Sequence, residues 1–238
     1  MKLFIIVFIC CSTLLAGNAE TSNFIIKTNL PDTHALKIGE WAEHYKNHQS
    51  KDYGVSTRRK SHKIIIEYTY GRKESGIALV EPLLSKPSII KIESKDIDTL
   101  LYKSLPHEIN HVLVREYHML ASDGRAFLLE GLAFSYESKQ LQKMSDERLI
   151  GYKRSNKLYD LKDFSKVKNT NEITDIRKKL AFYDHSRSFT IFVRNRLSKE
   201  KFRLLVASSL YGVDFNKSFE VAGLNYSSLY AEWISSLK

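Results

Sequence analysis

The chain has 238 residues, 43% of them hydrophobic, which is ample for one domain with a sizeable core. Its only two cysteines, Cys10 and Cys11, lie in an N-terminal leader. The rest of the chain therefore has neither disulfide nor thiolate ligand, which excludes cysteine proteases and Cys-ligated zinc modules.

Residues 1–19 read as a signal peptide. Lys2 is a short positive region, Leu3 to Ala16 is an almost unbroken apolar run too short for a membrane span, and Gly17-Asn18-Ala19 offers small residues for cleavage after Ala19. Val7-Phe8-Ile9 lack the small residue that a lipoprotein signal places before its cysteine. The protein is thus expected to be exported, periplasmic or extracellular, with one domain over 20–238. Without Lys2 the formal charge falls from +10 to +9. Clusters at Arg58-Arg59-Lys60 and at Lys199, Lys201 and Arg203 carry part of it. For an exported chain this balance does not point to nucleic acid. It is a solvated basic face, with an anionic envelope surface as the candidate partner.

Residues 24–28 predict a strand and Leu30-Pro31-Asp32 a turn. Asp32 or Thr33 then caps a helix to about His48, with Ala35, Ile38, Trp41, Ala42 and Tyr45 on one face. Lys51 to Ser61 is polar, a loop. His62 to Tyr70 is β-branched and aromatic, a strand, and Gly71 to Gly76 turns the chain. Ile77 to Glu81 and Ser88 to Glu93 are further strands. From Asp96 the spacing becomes helical through Ile97, Leu100, Leu101 and Leu105, and Pro106 opens the next helix in its first turn.

That helix carries His107-Glu108-Ile109-Asn110-His111, followed after 18 residues by Glu130. Residues four apart share a helix face, so His107 and His111 can point at one metal ion. Glu108, beside the first ligand, can reach a water held by that ion. Glu130 lies within a second apolar helical run, Phe127 to Phe134, where a carboxylate is costly unless paired or metal-bound. Three protein ligands with an open fourth position are what catalytic Zn2+ requires. With such an ion, Glu108 serves as general base in hydrolysis of a peptide bond. His118, seven residues after His111, reads as a helix-end histidine, and Glu137 is a candidate partner for a ligand imidazole that spacing leaves unassigned. Ser122-Asp123-Gly124 is a turn, Asp160 to Thr174 is loop-rich, and three helices follow at about 177–197, 199–211 and 227–237. Strands first and helices afterwards predict an α+β fold.

"LPHEINHVLV" followed by "FLLEGLAFSYE" resembles the gluzincin metallopeptidases, specifically the bacterial peptidase MA-like family. Upstream "FIIKTNLPDTHALKIGEWAEHY" is similar to the family's first strand, turn and helix. Downstream "YDHSRSFTIFVRNRL", "KFRLLVASSLYGVDFNKSFEVAGL" and "LYAEWISSLK" are similar to its C-terminal helices. The resemblance implies a zincin-like single domain, with a small N-terminal sheet and helices followed by a mainly helical C-terminal half. It also implies zinc-dependent peptidase activity on a peptide or protein substrate. Tyr183 matches the family's oxyanion-donor tyrosine and is preferred to His185, and Ser75–Val80 is the candidate edge strand for substrate. Two rivals stand beside this reading. One is a zincin-fold envelope binding module that keeps zinc without peptide turnover, against which the intact Glu108 argues. The other is a zinc hydrolase of a non-peptide amide.

Overall fold

The computed structural model describes residues 17–53, 62–71, 73, 75–79, 86–117 and 126–238. It is an α+β fold with an N-terminal sheet and a helical C-terminal half. Among the described residues five strands, β1 (Gly17–Glu20), β2 (Phe24–Thr28), β3 (Ile64–Tyr70), β4 (Ser75–Leu79) and β5 (Ile89–Ser94), form one sheet in the order β1-β2-β3-β5-β4. β2, β3 and β5 are parallel, and β1 and β4 run antiparallel along the two edges. Period-2 alternation turns Phe24, Ile26, Ile64, Ile66, Tyr68, Ile90 and Ile92 inward.

Helix α1 (Asp32–Tyr53) covers that face through Ala35, Ile38 and Ala42. Next comes one continuous helical stretch: α2 (Ile97–Thr99), a π turn (Leu100–Ser104) and α3 (Leu105–Tyr117). Leu100, Leu101, Leu105, Ile109, Val112 and Leu113 complete the sheet core. A second core joins α4 (Ala126–Phe134), α5 (Lys139–Arg154), α6 (Leu161–Phe164), α7 (Ile176–Arg194), α8 (Lys199–Leu210), α9 (Phe215–Val221) and α10 (Tyr226–Ser236). Val114 of α3 belongs to this second core, so α3 lies on the seam between the halves.

Two expectations are corrected. Gly17, Asn18 and Ala19, placed outside the fold by composition, pair with Thr28, Lys27 and Ile26 as β1. Small and polar residues on an edge strand leave no apolar signature that would separate them from a cleavage region. The turn expected over 71–76 ends earlier, because Ser75 and Gly76 already pair with Glu93 and Ile92. Among the described residues no helix is long and apolar enough to cross a membrane. The Arg58-Arg59-Lys60 cluster, His118 and the Ser122-Asp123-Gly124 turn lie outside the described residues.

Candidate metal centre

Pro106 shapes the start of the site helix. It has no N–H to give the preceding turn, and the chain passes through that turn in π geometry. The Tyr102 carbonyl, which a residue at 106 would cap in a regular helix, instead accepts from the Ser138 N–H at 2.9 Å. The chain just after α4 is thereby tied to the start of α3. From the other side, the Gln49 side-chain amide donates to the Pro106 carbonyl at 2.9 Å and accepts from Asn110 Nδ2 at 3.2 Å. Gln49 and Asn110 are fully buried, so this clamp fixes α3 against α1.

On α3, His107 and His111 face the same way, with their Nε2 atoms 3.1 Å apart. Glu130 of α4 brings Oε2 to 3.2 Å from His107 Nε2 and 3.6 Å from His111 Nε2. These three side chains form a group able to hold a metal ion. Gly131 explains how α4 reaches this position. A Cβ there would lie 2.2 Å from the Ser186 carbonyl oxygen and 2.3 Å from Thr190 Oγ1, so only glycine lets α4 seat directly on α7.

Glu137 completes the cluster. Its Oε1 is 3.1 Å from His107 Nδ1. A carboxylate accepts, so Nδ1 donates to Glu137 and Nε2 donates to Glu130; loss of the Nε2 proton would leave that nitrogen as the ligand atom with Nδ1 still held. Burial alone would push the His107 imidazole down, but Glu130 and Glu137 raise it to about 10. Burial would raise Glu130, yet His111 and His107 hold it well below the usual carboxylate range. A proton thus does in this cluster what a cation would do, and metal binding must release it.

Glu108 points to the groove side of α3, 7% exposed, and burial pushes its carboxyl up against the opposing pull of His107 and His111. Strand β4 lies directly over it: a Cβ on Gly76 would come within 2.5 Å of Glu108 Oε1. Gly76, Ile77 and Ala78 border a groove of about 340 Å³, with His107, Glu108, His111 and Glu130 facing it. Arg115, Lys168, Asn169, Thr170 and Asn171 form its polar rim, and Tyr183 lines it too. Among the described residues β4 ends the sheet, so one of its edges has no strand partner there.

Tyr183 and His185, alternatives in the sequence, are separated by the structure. The Tyr183 ring stacks on Phe134 at 5.0 Å, and burial together with the Glu130 charge pushes its hydroxyl up to about 12. It is a neutral donor at the groove. His185 is fully buried in the helical half. Its Nδ1 donates to the Ala181 carbonyl at 2.6 Å and its Nε2 accepts from the Tyr159 N–H at 3.3 Å. Burial holds that imidazole down at about 4.

The structure therefore brings together all five residues expected from the sequence: His107, Glu108, His111, Glu130 and Tyr183. It puts Glu137, a candidate partner left unassigned by spacing, on His107 Nδ1, and it adds the Gln49–Asn110 clamp. Comparison with known protein families, curated proteins and solved structures finds no match.

Proposed function

We propose that this chain is an exported zinc metallopeptidase of the gluzincin type. The observation that carries the reading is the convergence of His107 Nε2, His111 Nε2 and Glu130 Oε2 beside a buried Glu108. Tetrahedral zinc bonds of about 2.0–2.1 Å place neighbouring donor atoms about 3.4 Å apart. The three separations here are 3.1, 3.2 and 3.6 Å, and the set of two imidazoles and one carboxylate is that of a catalytic zinc. When bound, zinc would lower the pKa of a water to about 7 and polarise a carbonyl.

The chain's own groups supply the rest. Glu108 accepts the proton of the attacking water and passes it to the leaving amine, and its burial favours holding that proton in between. Tyr183 keeps its hydroxyl proton at neutral pH and donates to the oxygen that gains charge at the scissile carbonyl. An extended peptide laid along β4 would pair with the edge that has no strand partner among the described residues, which favours a peptide over a compact amide. Export rests on Lys2 and the short apolar run from Leu3 to Ala16 alone, since Gly17-Asn18-Ala19 pair as β1.

Metal analysis of the purified protein, joined to an unbiased peptide-library digest, tests this. One zinc per chain and a defined set of cleaved peptides are expected. Glu108→Gln should retain zinc and lose turnover by about 10²–10⁴-fold. A full equivalent of zinc in the His107→Ala, His111→Ala double variant would remove the site. A zinc-loaded wild type that cuts nothing in the library would favour the envelope-binding reading.

A further inference from the structure

The metal centre makes no use of the basic cluster at Lys199, Lys201 and Arg203. Lys199 and Arg203 border a second cavity of about 290 Å³, which shares no lining residue with the groove. It lies among α4, the end of α7, the first turns of α8 and the last turn of α1.

Its walls divide by chemistry. Leu132, Leu197, Phe202 and Val206 form an apolar floor, and Arg194 joins Lys199 and Arg203 in bringing positive charge. Asp52, the single acid lining the cavity among the described residues, accepts a hydrogen bond from the Tyr136 hydroxyl at 2.9 Å. The Arg194 guanidinium lies 5.8 Å from the centre of the Tyr136 ring. Among the described residues, Nη1 of Arg194 and Nε of Arg203 are shielded from solvent without a hydrogen-bond partner. Atoms closed to solvent are closed to a ligand in an open cavity as well, so an anion there would meet the outer nitrogens of each guanidinium. Guanidinium groups are also the side chains best shaped to hold carboxylate or phosphate. An excess of cations above a greasy floor matches a molecule with an anionic end and an apolar end.

We propose that this cavity binds an amphiphilic anion, its carboxylate or phosphate held by Arg194 and Arg203 and its apolar tail lying on Leu132, Phe202 and Val206. At about 290 Å³ the cavity is close to the lower bound of small-molecule sites, roughly 300 Å³. Because it is separate from the groove, the inference stands or falls independently of zinc and of peptide cleavage.

Calorimetric titration of the full chain with decanoate and with decyl phosphate tests it, with decanol and inorganic phosphate as controls. At least one decyl anion should saturate at one per chain, and which of the two binds tighter identifies the headgroup. Decanol and inorganic phosphate should each bind about tenfold more weakly or worse, since either lacks half of the recognition. The Arg194→Gln, Arg203→Gln double variant should lose about tenfold or more in anion affinity while keeping its zinc stoichiometry. Lys199→Glu changes an exposed rim residue, leaves the core untouched and should weaken anion binding as well. Absence of saturable binding overturns the proposal. So does equal affinity for decanol, or anion affinity unchanged in Lys199→Glu and in the folded double variant.

Discussion

His107 presents Nε2 to the cluster because Glu137 occupies the other ring nitrogen. Removing that carboxylate frees the imidazole to rotate or to change tautomer, which weakens any ion held at Nε2. Glu137→Ala should therefore weaken zinc binding by about 10–100-fold in competition with a chelator of known affinity. Glu137→Gln keeps an acceptor for the Nδ1 proton and should lose less. Equal zinc affinity in Glu137→Ala and wild type would mean that the contact orients nothing. The residues of the centre differ in how far sequence reveals them. His107 and His111 follow from the helical period, and Glu130 stands out as a carboxylate in an apolar run. Glu137 does not follow from spacing, because the chain leaves helical geometry after Phe134. Its position depends instead on the Ser138 N–H finding the carbonyl that Pro106 leaves free. The Gln49–Asn110 bond joins residues 61 apart in the chain, and no local pattern encodes such a contact.

Elements settle where these side chains can go, and the closest packing is that of α4 on α7. Gly131→Ala would place a methyl group against a backbone carbonyl and against Thr190 Oγ1. The carbonyl belongs to a helix and cannot step aside, so α4 must lift and take Glu130 with it. Alanine's helix propensity returns at most about 1 kcal/mol, against about 1–3 kcal/mol for overpacking. The variant should melt at lower temperature in the presence of chelator and bind zinc more weakly. A variant as stable as wild type would show that the two helices have room to spare. Element by element, apolar periodicity is a good guide wherever burial is apolar: β2, β3, β5, α1 and α3 all follow it. It is silent about α5, which buries only Ser145 and Leu149 along its 16 residues. Polar contacts dock that helix. Arg148 grips Asp184 of α7 through two hydrogen bonds at 2.8 and 2.7 Å, and Arg187 of α7 reaches back to Ser145 and Asp146. Ion pairs between distant segments leave no periodic trace in a single sequence.

Among the described residues the molecule has two cores meeting at the candidate metal site, and the helical one carries a group that makes it sensitive to acid. His185 sits inside the helical core, packed against Tyr152 of α5, Tyr159, Phe164 of α6 and Trp233 of α10. Its neutral Nδ1–H form satisfies both neighbours, donating to Ala181 and accepting from the Tyr159 N–H. Burial lowers its folded pKa to about 4, from an ordinary value of 6.5. Between those values the unfolded chain binds a proton that the folded chain refuses. Stability therefore rises with pH across this window. The contribution is fully present above about pH 6.5 and is lost as pH falls toward 4, amounting to about 3 kcal/mol over the whole interval. Urea unfolding of wild type and His185→Gln, both with chelator, isolates this term, because carboxylates that titrate in the same range are common to the two proteins. Glutamine should cost stability at pH 7 through imperfect packing, and the gap should narrow steadily as the pH is lowered to 4.5. Parallel pH profiles would show that His185 takes up its proton as readily folded as unfolded, and that the helical core is open to water at this point.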